Sequence, residues 1–338
     1  MKRNLGILAL AAILLLAGCQ PKNEKISQTN YQLGTVISYE IFDSSDTEII
    51  QKGIKRVDEI ENKMSLNIPE SELNHINQKA FHQEVALDDE LKNILATAFS
   101  LSEETKGLFD VSVGSLVQLW GIGSDHARVP SQKEIDEAIK RVGYQNVQLT
   151  KEGIKYSKEG IVIDLGGIAK GYAADEVAKL YKANKVKSAL INMGGNVYAL
   201  GHKPDGSQWR VGIREPFIGS ADYCLSIGVE DKAVVTSGYY ERYIEKDGKL
   251  YHHILNPLTG YPGDMEVLSV TIIAEQSMLA DALSTSCYLL GVDKGLELIK
   301  KYPGVEAIFI SKDKKVFPSE GIAENIELNK DEYKLVRQ

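Results

Sequence analysis

Ile161-Val162-Ile163-Asp164-Leu165-Gly166-Gly167-Ile168-Ala169-Lys170-Gly171-Tyr172-Ala173-Ala174-Asp175 is the stretch on which the reading of this chain turns. Three apolar residues ending in Asp164, a glycine pair and a helix-compatible run opening at Lys170 predict a buried strand that bends sharply into a helix. Glycines at such a turn let the backbone approach a ligand with no Cβ in the way. The N–H groups of a helix start, with a lysine nearby, favour an anion such as phosphate. A carboxylate and free carbonyls in the same turn suit a hard cation instead. Tight packing alone also produces such turns, so the rest of the chain has to decide.

Outward from this turn, strands and helices are interspersed without a regular βαβ rhythm. Residues 31–42 and 189–200 read as strands, the second broken at Gly194-Gly195; 209–213, 225–229, 233–236, 267–274 and 307–310 read as others. A helix is expected over 48–64, where Ile49, Ile50, Ile54, Val57 and Ile60 share one face. Others are expected over 91–105, closed by Gly107, and over 131–142, with Ser131 as cap and Glu134 three residues on. The segments 170–182, 277–290 and 294–302 complete the helical set. This mixture predicts an α+β fold in a single compact domain over residues 31–338.

The chain opens with MKRN and the apolar run LGILALAAILLLAG before Cys19. A basic start, a short apolar core and a small-residue end predict a signal peptide over 1–18, and the run is short for a full membrane span. Leu16-Ala17-Gly18-Cys19 resembles the bacterial lipobox, in which the cysteine is lipidated. Residues 19–30 are then expected to tether the domain to the extracytoplasmic face of the cell membrane. A net charge of −8 argues against a nucleic-acid partner. Cys224 and Cys287 sit in apolar surroundings and read as buried thiols rather than as a disulfide.

Several short patterns could carry chemistry. Asp281 and Thr285 are four apart in an expected helix and so share a face, where two oxygens could help hold magnesium. A helix-start Asp with a packed Thr is the plainer reading of that pair. His252 and His253 precede the turn-rich ILNPLTGYP, and a histidine beside a rigid turn suits proton transfer. Histidines on a surface with no role are common too, and adjacent histidines are not a zinc pattern. Thr236-Ser237-Gly238 offers hydroxyls and N–H groups to a phosphate, as many ordinary turns do.

Eight motifs taken together resemble the ApbE family, which transfers FMN from FAD to a protein hydroxyl. They are LGT (33–35), MSxxxxxSELxxIN (64–77), FDVSVGSLVQLWGIG (109–123), DLGGIAKGYAAD (164–175), INMGGN (191–196), VTSGYYERY (235–243), HHILNPLTGYP (252–262) and ADALST (280–285). The resemblance implies a T-fold-like core of mixed and antiparallel sheets with packed helices. It implies Mg²⁺ bound by Asp281, Thr285 and the carbonyl of Gly167, and an FAD site lined by Leu33, Asn67, Leu108, Phe109, Asp110, Asp164, Lys170 and Ile254. His253 and Lys170 are the implied catalytic residues. Leu33 stands where many members have Met, and Asn67 where several place an aromatic ring against the flavin or adenine. The implied acceptor is a Thr or Ser hydroxyl in a motif like D-G-x-[ST]-G-A-T, on a membrane-associated electron carrier. A magnesium-dependent FAD pyrophosphatase and a flavin-binding lipoprotein without catalysis are the alternatives.

Overall fold

The computed structural model describes residues 25–336. The expected signal peptide, the lipidated Cys19 and the first part of the tether lie outside the described residues. The chain enters through a hairpin of β1 (Ile26–Gln32) and β2 (Thr35–Ile41), followed by helices α1 (Thr47–Met64) and α2 (Glu72–Lys79). Next come β3 (Val85–Ala86), α3 (Asp89–Glu104), α4 (Gly114–Trp120), α5 (Gln132–Ile139), β4 (Val147–Leu149), β5 (Gly153–Tyr156) and α6 (Ala169–Ala183). The strands β6 (Ser188–Met193), β7 (Asn196–Gly201), β8 (Trp209–Arg214), β9 (Tyr223–Val229), β10 (Lys232–Gly238), β11 (Tyr243–Lys246), β12 (Lys249–His252) and β13 (Val267–Ala274) then run on. Helices α7 (Ser277–Leu290) and α8 (Val292–Ile299) precede β14 (Glu306–Ser311), β15 (Lys315–Pro318), β16 (Ile326–Leu328) and β17 (Lys334–Leu335).

Nine of these strands form one sheet in the order β1-β2-β6-β7-β10-β13-β14-β15-β17, which is also their order along the chain. Its pairings are antiparallel except β15 with β17. Alternation along the central strands sends neighbours into two different cores. Ala233, Val235, Val270, Ile272, Ala307 and Phe309 join the large core with α1, α6 and α7. Val234, Ile273, Ile308 and Ile310 face a second core, which Trp209, Ile213, Leu225 and Ile227 close from the three-stranded sheet β16-β9-β8. Every residue of β13 is therefore buried, on both faces. A third, small cluster joins Leu116 and Trp120 of α4 and Ile135 of α5 to Leu255, beside the histidines. Cys224 and Cys287 are buried free thiols, as their surroundings predict.

Three expectations need correction. Residues 26–30 belong to β1, paired along its length with β2, so the domain begins inside the stretch read as tether. Within the expected strand 31–42 the chain reverses at Leu33-Gly34, both at positive φ. The strand expected at 161–164 is reduced to one bridge, Val162 with Val113. The cause is Asn77 on α2, whose Oδ1 accepts the Ile163 N–H at 2.8 Å and whose Nδ2 donates to the Ile163 carbonyl at 3.0 Å. A side chain thus takes the bonds a neighbouring strand would have made.

Candidate active site

The start of α6 and the face of α7 meet because Gly171 permits it. Gly171, in the first turn of α6, lies against α7 so closely that a Cβ there would stand 2.3 Å from the Ser277 carbonyl oxygen. Its N–H donates to Asp281 Oδ2 at 2.9 Å, and Asp281 is buried. Lys170 Nζ lies 3.6 Å from the other oxygen, Asp281 Oδ1, and donates to the Gly166 carbonyl at 3.2 Å. Four residues on from Asp281, Thr285 presents its hydroxyl to Gly167; a Cβ at Gly167 would lie 3.6 Å from Thr285 Oγ1 and 3.4 Å from the Phe109 ring. Asp175 fixes the start of α7, its two oxygens accepting the Ser277 and Met278 N–H groups at 2.7 and 2.8 Å. Burial nevertheless pushes that carboxyl up to about 6.

Asp281 and Thr285, one helical turn apart on α7, thus lie against the 167–171 segment that opens α6. Among the described residues no group of three His, Cys, Asp or Glu side chains could hold a metal. A metal at this place would rest on one carboxylate with neutral oxygens, and on phosphate and water for the remainder. That hard, all-oxygen donor set fits magnesium.

His253 lies within electrostatic reach of Lys170. Its backbone N–H and its Nδ1 both face the Arg242 carbonyl, at 3.1 and 3.2 Å, so Nδ1 carries the hydrogen and Nε2 holds the lone pair. Burial, with Arg242, His252 and Lys170 adding to it, holds this imidazole down to about 3. His252 is buried outright, bonded to the Gly263 carbonyl at 3.0 Å and held down to about 4 by burial. Ile254 is buried beside them. Asp164 Oδ1 accepts the Gly166 N–H at 2.8 Å; burial raises this carboxyl, with the Gly166 bond, Lys170 and Arg242 opposing.

The remaining expected residues divide. Leu33 sits at the β1–β2 turn, its side chain against the large core, and Phe109 is buried next to Gly167. Leu108 is half-buried. Asp110 is committed elsewhere: one oxygen accepts from the Ser112 N–H and hydroxyl, the other from the Tyr144 N–H. It is a brace for the loop that carries Phe109. Asn67 is exposed, with its backbone N–H on Ser65 Oγ, and no hydrogen bond joins it to the Asp281 cluster. A cavity of about 590 Å³ opens elsewhere, between α8 and residues 318–324, and none of these groups lines it.

With this geometry in view, comparison with known proteins is decisive. The ApbE family model matches residues 33–309. The chain belongs to the ApbE family. It is 34% identical over 328 residues to the FAD:protein FMN transferase of Treponema pallidum, covering 91% of each chain. It is 33% identical to that of Klebsiella pneumoniae, covering 88% of this chain and 92% of the other. The crystal structure of the ApbE protein from Thermotoga maritima superposes with a TM-score of 0.77 at 34% identity, over 90% of this chain and 97% of that one. The flavin transferase ApbE from Vibrio cholerae does so with a TM-score of 0.79 at 26% identity, over 88% and 97%. The α+β expectation is borne out by these structures.

In this ApbE-family chain two charged residues at the site escaped the sequence reading, although both lie in the motif VTSGYYERY. Glu241 faces Lys170 and Arg242. Although Glu241 is exposed, the protein packed around it raises its carboxyl, against those cations and with Asp281 adding to the rise. Arg242 Nη2 donates to the Gly34 carbonyl at 2.8 Å. The available signal was an adjacent acid–base pair three residues beyond Thr-Ser-Gly, which ends β10.

Proposed function

We propose that this ApbE-family protein is an FAD:protein FMN transferase that moves FMN from FAD to a Thr or Ser hydroxyl of an acceptor protein and releases AMP. The observation that carries the reading is the buried Asp281 carboxylate, held between the Gly171 N–H and the Lys170 ammonium with Thr285 and Gly167 alongside. Asp281, Thr285 and the Gly167 carbonyl would hold Mg²⁺, which when bound neutralises pyrophosphate charge.

This chain's own groups do the rest. Lys170 sets a positive charge beside the non-bridging oxygens of the phosphorus under attack. The new bond joins the acceptor oxygen to the FMN phosphorus; the bond to the AMP oxygen breaks, and AMP leaves with the electron pair. His253 Nε2 accepts the hydrogen bond of the attacking hydroxyl. An imidazole held this far below neutrality binds a proton weakly, so its main work is to hold the hydroxyl in line, which suffices where the transition state is loose. The proton leaves to solvent as the ester forms.

Cys19 is the proposed lipid attachment point. It would keep the domain on the extracytoplasmic face of the cell membrane, within reach of membrane-associated electron carriers bearing a D-G-x-[ST]-G-A-T-like motif. A second reading draws on Asn67, whose amide replaces a ring: water reaching the same phosphorus would give FMN and AMP, a pyrophosphatase. The test is intact-mass analysis of an acceptor domain carrying D-G-x-T-G-A-T, incubated with the full chain in detergent, FAD and Mg²⁺. A gain of one FMN minus water, absent when the acceptor Thr becomes Ala, is expected. AMP and free FMN without an adduct would replace transfer by hydrolysis; no AMP would leave a flavin binder.

A further inference from the structure

We propose that Arg242 is a positioning residue that latches the FAD site, by holding the Leu33–Gly34 turn in place; the proposal rests on the flavin-transfer reading above. Leu33 and Gly34 form a two-residue hairpin turn with φ of +52° and +67°. Such turns favour glycine and asparagine, so a branched side chain at the first position is strained and needs outside support.

That support comes from three directions. The Leu33 side chain rests on the large core. Behind the turn, Thr35 Oγ1 lies where a Cβ on Gly194 would be only 2.2 Å away, so the hairpin is seated on the Gly194-Gly195 backbone. In front, Arg242 reaches across 208 residues of chain to donate Nη2 to the Gly34 carbonyl at 2.8 Å. Its stem crosses Gly123, at φ +91°, where a Cβ would meet Arg242 Cδ at 2.9 Å; the missing side chain leaves the track that the arginine follows. Its backbone is anchored in turn, because the Arg242 carbonyl accepts from both the N–H and the ring of His253.

One residue therefore ties the 33–34 turn and the 121–123 loop to His253. Removing its side chain frees the turn while Asp281, Lys170 and Thr285 keep their places on α6 and α7. The consequence is a loss of FAD retention with little loss of turnover.

The experiment uses the full chain in detergent, measuring FAD binding by flavin fluorescence and FMN transfer to the acceptor domain. Arg242→Ala is expected to raise both the FAD dissociation constant and KM roughly tenfold, as for one charge-assisted hydrogen bond, with kcat within about twofold. Arg242→Lys should recover part of the loss. Gly123→Ala, which displaces the arginine and keeps its charge but also strains the loop at φ +91°, should weaken FAD at least as much. Unchanged FAD binding in Arg242→Ala overturns the latch, as does a fall in kcat at constant KM. So does normal binding in Gly123→Ala beside weak binding in Arg242→Ala, since charge alone would then be the cause. Should Arg242→Ala not fold, Arg242→Lys and Gly123→Ala carry the test. A wild-type protein that binds FAD but transfers nothing refutes the transfer reading, and the binding measurements still decide the latch.

Discussion

Gly171→Ala adds one methyl group at the contact between α6 and α7, and the structure sets the sign of its effect. Alanine in place of glycine inside a helix ordinarily stabilises by about 1 kcal/mol. Here the new Cβ would lie 2.3 Å from the Ser277 carbonyl oxygen and 2.7 Å from both Met278 Cα and the Ser277 carbonyl carbon. Those contacts are about 1 Å too short, and all three are with backbone, so no rotamer change relieves them. The helices must part. Overpacking of this kind typically costs about 1–3 kcal/mol, and the bond from the Gly171 N–H to the Asp281 carboxylate weakens with it, a charged hydrogen bond of about 1.5–3 kcal/mol. Repulsion wins, and a net destabilisation of roughly 2–4 kcal/mol is expected in urea unfolding. Because Asp281 moves with α7, FMN transfer at saturating FAD and Mg²⁺ should fall by on the order of a hundredfold, as for a misplacement of about 1 Å. Gly53→Ala on α1 is the control. Its Cβ would meet only side chains, Val177 Cγ1 at 3.3 Å and Tyr181 Cε1 at 3.4 Å, and stability should change by no more than about 1 kcal/mol. A Gly171→Ala protein as stable and as active as wild type would refute the claim that this backbone contact sets the position of Asp281.

Asp281→Ala should abolish FMN transfer at defined Mg²⁺ while the protein stays folded by circular dichroism; unchanged transfer would remove Asp281 from the metal. His253→Ala should lower kcat by about 10²-fold or more and leave FAD binding within a few-fold, since its ring works on the attacking hydroxyl. A matched fall in FAD affinity would instead make it a binding residue. His252 makes stability pH-dependent. Its folded value, about 4, lies below the ordinary 6.5, so its contribution is complete above 6.5 and is lost as pH falls towards 4. The loss amounts to roughly 3 kcal/mol by pH 4. Urea titrations at pH 7 and pH 4 should show a drop smaller by that amount in His252→Asn, and an identical drop in both proteins would contradict the burial argument.

What the sequence determined by itself is whatever depends on near neighbours along the chain. The reversal at Gly194-Gly195 is of this kind, because positive φ is nearly free only for glycine, and both residues adopt it. So is the shared face of Asp281 and Thr285, which follows from four-residue spacing once α7 is a helix. The apolar face of α1, with Ile49, Ile50, Ile54, Val57 and Ile60 buried, was also legible in its period. Eight motifs in order were enough to place the chain with its family.

Tertiary structure decided the contacts made across long separations. Residues 161–164 read as a strand because they are apolar, yet Asn77, 86 residues away, occupies the bonds of Ile163. Asp110 carries a charge in a family motif, yet its oxygens are spent on Ser112 and Tyr144. Glu241 and Arg242 are exposed charges that nothing nearby in the sequence marks, yet the fold sets one near Lys170 and sends the other to Gly34. Period and propensity report only which side of an element is buried. Whether Asp281 meets Lys170 and the Gly171 N–H depends on how closely α6 can approach α7, and that distance was set by the missing Cβ of Gly171.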